Sequence, residues 1–193
     1  MNKTERAART RATLVLAAAR HFDQHGYEGT TLKAVCAEAG VTLGALTFHF
    51  RSKAALASAV VEEGVGELQR IRSAGSGTGR PLCDLSAFVL EVVRSLRNSV
   101  LTRAAARLVE EGRVDSGWPG VFRGEVLRLL EGASTTGELV PEVRPAAAVR
   151  LVMHVVQGAV AEARSAEALG VATACDFAEV WDVVLGGLAV ARC

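Results

Sequence analysis

The chain has little of what builds sheets, spans membranes or staples small secreted folds. Of its 193 residues one is tyrosine, and the aromatics together make only 5%. Ala, Leu, Glu and Arg are plentiful instead, so the composition predicts a predominantly helical, all-α fold. No apolar run reaches the length of about 18 residues that argues for a membrane span. The opening MNKTERAARTRATL lacks the apolar core of a signal peptide, so a cytoplasmic location is expected. Cys36, Cys83, Cys175 and Cys193 are scattered, without Cys-x-x-Cys spacing or a histidine cluster. Reduced thiols are therefore expected, rather than a disulfide framework or structural zinc. His21 and His25 stand four apart on a helical segment, but no acid or cysteine partner is evident nearby, and no metal is expected. Gly-x-Ser-x-Gly, His-Glu-x-x-His, a paired acidic site and a cofactor loop are missing, so neither an enzyme nor a cofactor is expected.

What is present is apolar and unevenly charged. Half of the residues are hydrophobic, enough for a sizeable core. Residues 1–55 hold eight Lys/Arg against four acids, a net +4, while the remainder holds fourteen against seventeen, a net −3. A basic head on an acidic body points to a polyanion as the partner of the head.

The head divides into helices at legible signals. Leu14, Val15, Ala18 and Phe22 recur at helical spacing within a first helix from about Arg6 to His25, and Gly26 is a natural stop. Thr30 or Thr31 is placed to cap a second helix, whose inner face is Leu32, Val35, Cys36 and Ala39 and which Gly40 breaks. Thr42 caps a short third helix through Phe50, and Ser52 caps a fourth from Lys53 towards Arg72. Helix, a turn at Gly40 and Val41, then helix is a helix-turn-helix arrangement. The Gly/Ser-rich Ser73–Pro81 stretch reads as a loop. Further helices are expected at Leu82–Leu96, Thr102–Glu110, Val121–Thr135, Pro145–Ala168 and Asp176–Ala191. The expected division is a DNA-binding domain, 1–52, and a ligand-binding and dimerisation domain, 53–193.

The third helix has the residues of a helix that enters the major groove. Thr42, Leu43, Gly44, Thr47 and His49 are small or mid-sized, so the backbone can come close to the bases. Leu43 suits a thymine methyl; Thr47 and His49 suit phosphates or base edges; Leu46 and Phe50 would turn into the core. Lys53, at the positive end of the next helix, would meet a phosphate.

Three linked segments carry a resemblance: Phe22-x-x-x-Gly26-Tyr27-x-x-Thr30-Thr31, Ala39-Gly40-Val41-Thr42-x-Gly44-Ala45-Leu46 and Phe48-His49-Phe50-x-x-Lys53. Together they resemble the N-terminal signature of TetR-family transcriptional repressors. Within that family, GALTFHFRSK, the Trp118 segment and FAEVWDVVLGGLA are most similar to the γ-butyrolactone-type signal receptors of actinobacteria. By position, the resemblance implies that Thr31, Thr42, Gly44, Thr47, His49 and Lys53 contact DNA. The chain departs from the family pattern at Leu43, where Lys is frequent, and at Thr47, where an aromatic is usual. Lys3, Arg6, Arg9 and Arg11 are positioned to compensate on phosphates or in the minor groove.

For the body, the resemblance implies an effector site and a homodimer interface made by the last two helices. Trp118, in a break between helices, is the implied ligand contact. Gln157, where the receptor subgroup carries Thr, reads as a buried amide in need of a partner, with His154 three residues earlier on nearly the same face. Leu85, Phe88 and Val121 are candidate apolar walls. The implied protein is a homodimeric repressor of a palindromic double-stranded operator, released by a butyrolactone- or furan-like small molecule. A sensor or sequestering protein with weakened DNA binding is the alternative, motivated by Leu43 and Thr47.

Overall fold

The computed structural model of the chain describes residues 2–75, 77–114, 117–169 and 176–190. The helices within them are α1 (Lys3–Gly29), α2 (Leu32–Ala39), α3 (Leu43–His49), α4 (Lys53–Ala74), α5 (Pro81–Asn98), α6 (Val100–Glu110), α7 (Trp118–Thr135), α8 (Pro145–Leu169) and α9 (Phe177–Leu188). Among the described residues no strand occurs, only an isolated antiparallel bridge between Leu139 and Ala189. The all-α expectation holds. No helix of the described residues is long and apolar enough to cross a membrane. Cys175 and Cys193 lie outside the described residues.

Helix boundaries follow local chemistry, and where they depart from expectation a cap explains it. α1 begins at Lys3 rather than near Arg6, because the Asn2 N–H donates to Glu5 Oε2 at 2.9 Å and closes the first turn. The basic N-terminal residues Arg6, Arg9 and Arg11 therefore ride on a helix. α6 begins at Val100 rather than Thr102, since Ser99 Oγ accepts the Thr102 N–H at 3.3 Å. Gly26 does interrupt α1, but with φ 68° and ψ −177°, and helical residues resume before Gly29.

Two compact units emerge, and their boundary differs from the expected one after residue 52. The first comprises Met1–Glu67 and Asn98–Trp118, the second Leu68–Arg97 and Pro119–Cys193. In the first, Leu14, Val15, Ala18 and Phe22 of α1 share a buried core with Val35 and Cys36 of α2 and Leu46 of α3. Leu56, Ala57, Val60 and Val61 of α4 and Ala104, Ala105 and Leu108 of α6 complete it. The apolar stripes of α4 and α6 need the same core, so the head extends beyond its first three helices. Burial raises the pKa of the Cys36 thiol, which keeps it protonated and inert, in keeping with a core role.

In the second unit Leu82, Leu85, Phe88, Val89, Val92 and Leu96 make the buried face of α5. Phe122, Val126 and Leu130 of α7, Val149, Val152 and Val156 of α8, and Phe177 and Trp181 of α9 are buried in the same unit. Trp181 is fully buried, stacks on Phe177 and donates its indole N–H to Ser86 Oγ at 3.0 Å. A buried indole needs such a partner.

Candidate nucleic-acid interface

The helix-turn-helix is built from hydroxyl caps and one left-handed glycine. Thr31 Oγ1 accepts the Ala34 N–H at 3.2 Å at the start of α2. Gly40, with φ 65° and ψ 32°, ends that helix, and the Val41 N–H reaches back to the Cys36 carbonyl at 3.0 Å. Thr42 Oγ1 accepts the Ala45 N–H at 3.2 Å at the start of α3, and Ser52 Oγ accepts the Ala55 N–H at 3.1 Å at the start of α4. In these caps the hydroxyl oxygen accepts, so the hydroxyl protons of Thr31 and Thr42 remain available to an incoming phosphate oxygen.

α3 is held by one side. Leu46 is fully buried and Phe50, just beyond the helix, is nearly so, as expected. Ala45 and His49 are half-buried at the margins. Leu43, Gly44, Thr47 and Phe48 are exposed. Leu43 keeps 54% of its surface accessible and Phe48 keeps 81%. The Thr47 hydroxyl donates to the Gly44 carbonyl at 3.1 Å, so its proton is spent within the helix. Phe48 lies edge-on to the His49 ring, with centroids 5.1 Å apart. Phe48 was not singled out from sequence. The available signal was that Phe48 and Phe50, two residues apart, cannot both face the core from one short helix.

Lys53 has partners within the head. Its ammonium donates to the carbonyls of Tyr27 (2.8 Å) and Thr30 (3.1 Å) and lies 4.3 Å from the Tyr27 ring centroid. It is half-buried and satisfies carbonyls at the end of α1, where a helix leaves acceptors without partners. Thus Lys53 ties α4 to α1. Arg51, by contrast, is exposed, and Arg11 lies over the Phe50 ring at 5.3 Å.

Behind this surface, α6 is fastened to the end of α1 by charge. Arg103 pairs with Asp23 at 2.9 Å, and Arg107 donates to the Asp23 carbonyl. Glu111 accepts from Arg107 Nε at 2.9 Å and from the Tyr27 N–H at 2.8 Å. Partial burial alone would raise the Glu111 pKa, but the Tyr27 N–H, Arg107 and Arg113 outweigh it and hold the carboxyl below its ordinary range. A lowered folded-state pKa stabilises above the unfolded value of about 4.3 and is lost as pH falls through the folded one. Glu111→Gln is therefore expected to cost at most about 1 kcal/mol of stability at neutral pH for so solvated a group, read as a lower melting temperature. The difference from the parent should shrink at pH below the ordinary Glu range; melts at both pH values check it. On the other side of α1, Glu38 supplies the acid that sequence had not placed near the histidines: its Oε2 is 3.0 Å from His21 Nε2. Among the described residues no group of three or more His, Cys, Asp or Glu is arranged to hold a metal.

The effector candidates separate. Leu85 and Phe88 are buried, Phe88 stacks on Phe122 at 5.6 Å, and Val121 beside it is half-buried. Gln157 and His154, however, are exposed, which corrects the reading of a buried amide. The reason is helical phase. Val149, Val152, Val156 and Ala159 define the inward face of α8, and His154 and Gln157 fall on its far side. The Trp118 side chain lies outside what the structure describes; its backbone starts α7.

Known proteins bear on this geometry. Residues 14–60 match the family described as bacterial regulatory proteins, tetR family. The A-factor receptor protein of Streptomyces griseus is 32% identical over 194 residues, covering 98% of this chain and 67% of that protein. A crystal structure of a γ-butyrolactone receptor, described as ArpA-like, superposes with a TM-score of 0.79 at 29% identity, over 96% of this chain and 90% of that one. CprB from Streptomyces coelicolor A3(2), a TetR family protein, superposes with a TM-score of 0.81 at 30% identity, over 96% and 91% of the two chains. Its complex with its biological operator sequence is also similar, with a TM-score of 0.77 at 31% identity, over 95% of this chain and 90% of that one. With the helix-turn-helix, the matched N-terminal segment and relatives that span the whole length, this chain belongs to the TetR family of bacterial transcriptional regulators.

Proposed function

We propose that the protein is a homodimeric repressor that binds a palindromic duplex operator through α3 and leaves it when a small molecule of the butyrolactone or furan class enters its second unit. One observation carries the reading: the exposed side of α3 projects from a stretch with no acid between Glu38 and Glu62, followed by exposed Arg51, with Arg11 of α1 over the Phe50 ring just beyond the helix. Such a surface repels no phosphate and offers small side chains to a groove. Thr31, Thr42, Gly44 and His49 join Leu43 and Thr47 there; Lys53 serves by fixing α4. The effector class rests on likeness to the A-factor and γ-butyrolactone receptors, which extends through the body of the chain. Leu85, Phe88 and Val121 are its proposed apolar walls, and Trp118 its proposed contact. A cytoplasmic, non-enzymatic role follows from this reading.

Dimerisation is supported by an apolar side left open on α8 and α9. Leu151, Val180 and Val183 are 43%, 41% and 77% exposed, and Gly158, Gly186 and Gly187 have open space where a side chain would stand. A second copy of the same pair covers such a surface in an isologous contact. His154 and Gln157 fit this seam better than an effector cavity. Two heads are needed because one short helix binds weakly, whereas two can occupy half-sites one turn, about 34–36 Å, or more apart.

The test is fluorescence anisotropy of the full-length protein on duplexes from promoters near its gene, at about 150 mM salt. A palindromic site bound at about 10⁻⁸ M or tighter, and released by an added γ-butyrolactone, is the expected result. Binding that is weak, blind to sequence and steeply salt-dependent would instead favour the sensor with a weakened head. That second reading has its own support, since the Thr47 proton and two Lys53 donors are spent inside the protein.

A further inference from the structure

We infer that α3 reads its operator chiefly through thymine 5-methyl groups, with Leu43 and Phe48 as the specificity-determining contacts; this rests on the reading of the protein as a DNA-binding regulator. At 100° per residue, Leu43, Thr47, Gly44 and Phe48 follow one another around about 140° of the helix, opposite buried Leu46. All four are exposed, and nothing but their own chemistry faces outward in that sector. Leu43 brings a branched alkyl group and Phe48 a ring edge. Gly44, between them, meets only the Thr42 hydroxyl at 3.8 Å where a Cβ would be, so the backbone itself can approach a base.

Thr47 completes the sector in an unexpected way. Because its hydroxyl proton goes to the Gly44 carbonyl at 3.1 Å, it turns outward a methyl group and lone pairs, with no donor. The sector therefore has no side-chain donor with which to read the N7 and O6 acceptors of guanine, or the N7 of adenine. The Thr47 lone pairs can accept from the amino group of cytosine or adenine, while the alkyl and ring groups of Leu43 and Phe48 are complementary to the one apolar feature of the major groove, the thymine methyl. Phe48 is steadied for that contact by the His49 ring, which lies nearly perpendicular to it with centroids 5.1 Å apart. Phosphate attraction, which fixes register without reading sequence, is left to the exposed arginines.

Uracil isolates the proposed contact, because it keeps every hydrogen-bonding group of thymine and lacks only the methyl. Duplexes are selected from a random pool by the full-length protein. Their thymines are then replaced by deoxyuridine, position by position, and affinities are compared for the parent, Leu43→Ala and Phe48→Ala. Removing a contacted methyl is expected to weaken the parent about four-fold, compounding when both half-sites are changed. Each Ala variant should lose the thymine preference at the position its side chain touched while keeping the parent's melting temperature, since both side chains project into solvent. Equal binding of the thymine and deoxyuridine duplexes by a protein that does select a site overturns this inference alone. Failure to select any duplex overturns the reading as a DNA-binding regulator, and this inference with it.

Discussion

Leu46→Ala is expected to cost about 2–5 kcal/mol of folding stability and to reduce operator affinity by more than the stability loss accounts for. Leu46 is the only residue of α3 that is buried, and it is fully so. The seven-residue helix is too short to be stable by itself, so its position on the head depends on tertiary packing. Leu46, with Phe50 just beyond the helix end, supplies that packing. Truncation leaves a cavity in the buried cluster that Leu46 shares with residues of α1, α2, α4 and α6. A typical domain has about 5–15 kcal/mol in hand, so most variant molecules should remain folded at 25 °C while α3 is loosened. Urea denaturation monitored by circular dichroism gives the first number, and anisotropy on the selected operator the second. A loss below about 0.5 kcal/mol, the range usual for surface changes, would show that something else anchors α3. Leu43→Ala, three residues away and half exposed, is the matched control and should leave stability unchanged.

Gly26→Ala is the second large effect, expected at about 2–4 kcal/mol. The backbone there has φ 68° and ψ −177°, a combination that only glycine adopts without strain. The added methyl would also stand 2.5 Å from Glu111 Oε1 and 2.9 Å from Arg107 Nη2. Those side-chain ends can move. Moving them, however, breaks the bond from the Tyr27 N–H to Glu111 and that from Arg107 to the Asp23 carbonyl. Strain and displacement separate in a double-mutant cycle with Glu111→Ala. With the carboxylate gone, the cost of Gly26→Ala should fall to the backbone strain plus the displacement of the Arg107 side chain, and not to zero. Full rescue would mean that the conformation is relaxed for any residue.

Both predictions use residues whose importance was legible locally, yet their partners were not. Gly26 and Gly40 announce chain reversals because of what a Cβ would forbid, and Thr31, Thr42 and Ser52 announce helix starts because their oxygens reach a nearby N–H. Leu14, Phe22, Val35 and Leu46 announce a core by spacing. All of these signals operate within a few residues. The bonds of Lys53 were not legible because nothing around it in the chain indicates that the carbonyls of Tyr27 and Thr30, 26 and 23 residues earlier, lie within its reach. Gln157 was misplaced because an apolar helix was taken as buried all round, whereas α8 has one inward face and an open one. Phe48 was passed over because aromatics are ordinarily core residues, and here the core position was taken by Phe50.

By itself, then, the amino-acid order determined the helices, their caps and breaks, the basic head and the signature of its family, because helix formation and capping depend on neighbours one turn away. Only the tertiary structure decided that α6 belongs to the head, clamped by Arg103 and Arg107 on Asp23, 80 and 84 residues apart in the chain. It alone decided that Lys53 fastens α4 to α1, and that the outer sector of α3 is apolar with its one hydroxyl proton turned inward. Such matters are settled by which side chains compete for the same burial and the same unpaired carbonyls, and that competition exists only once distant segments meet.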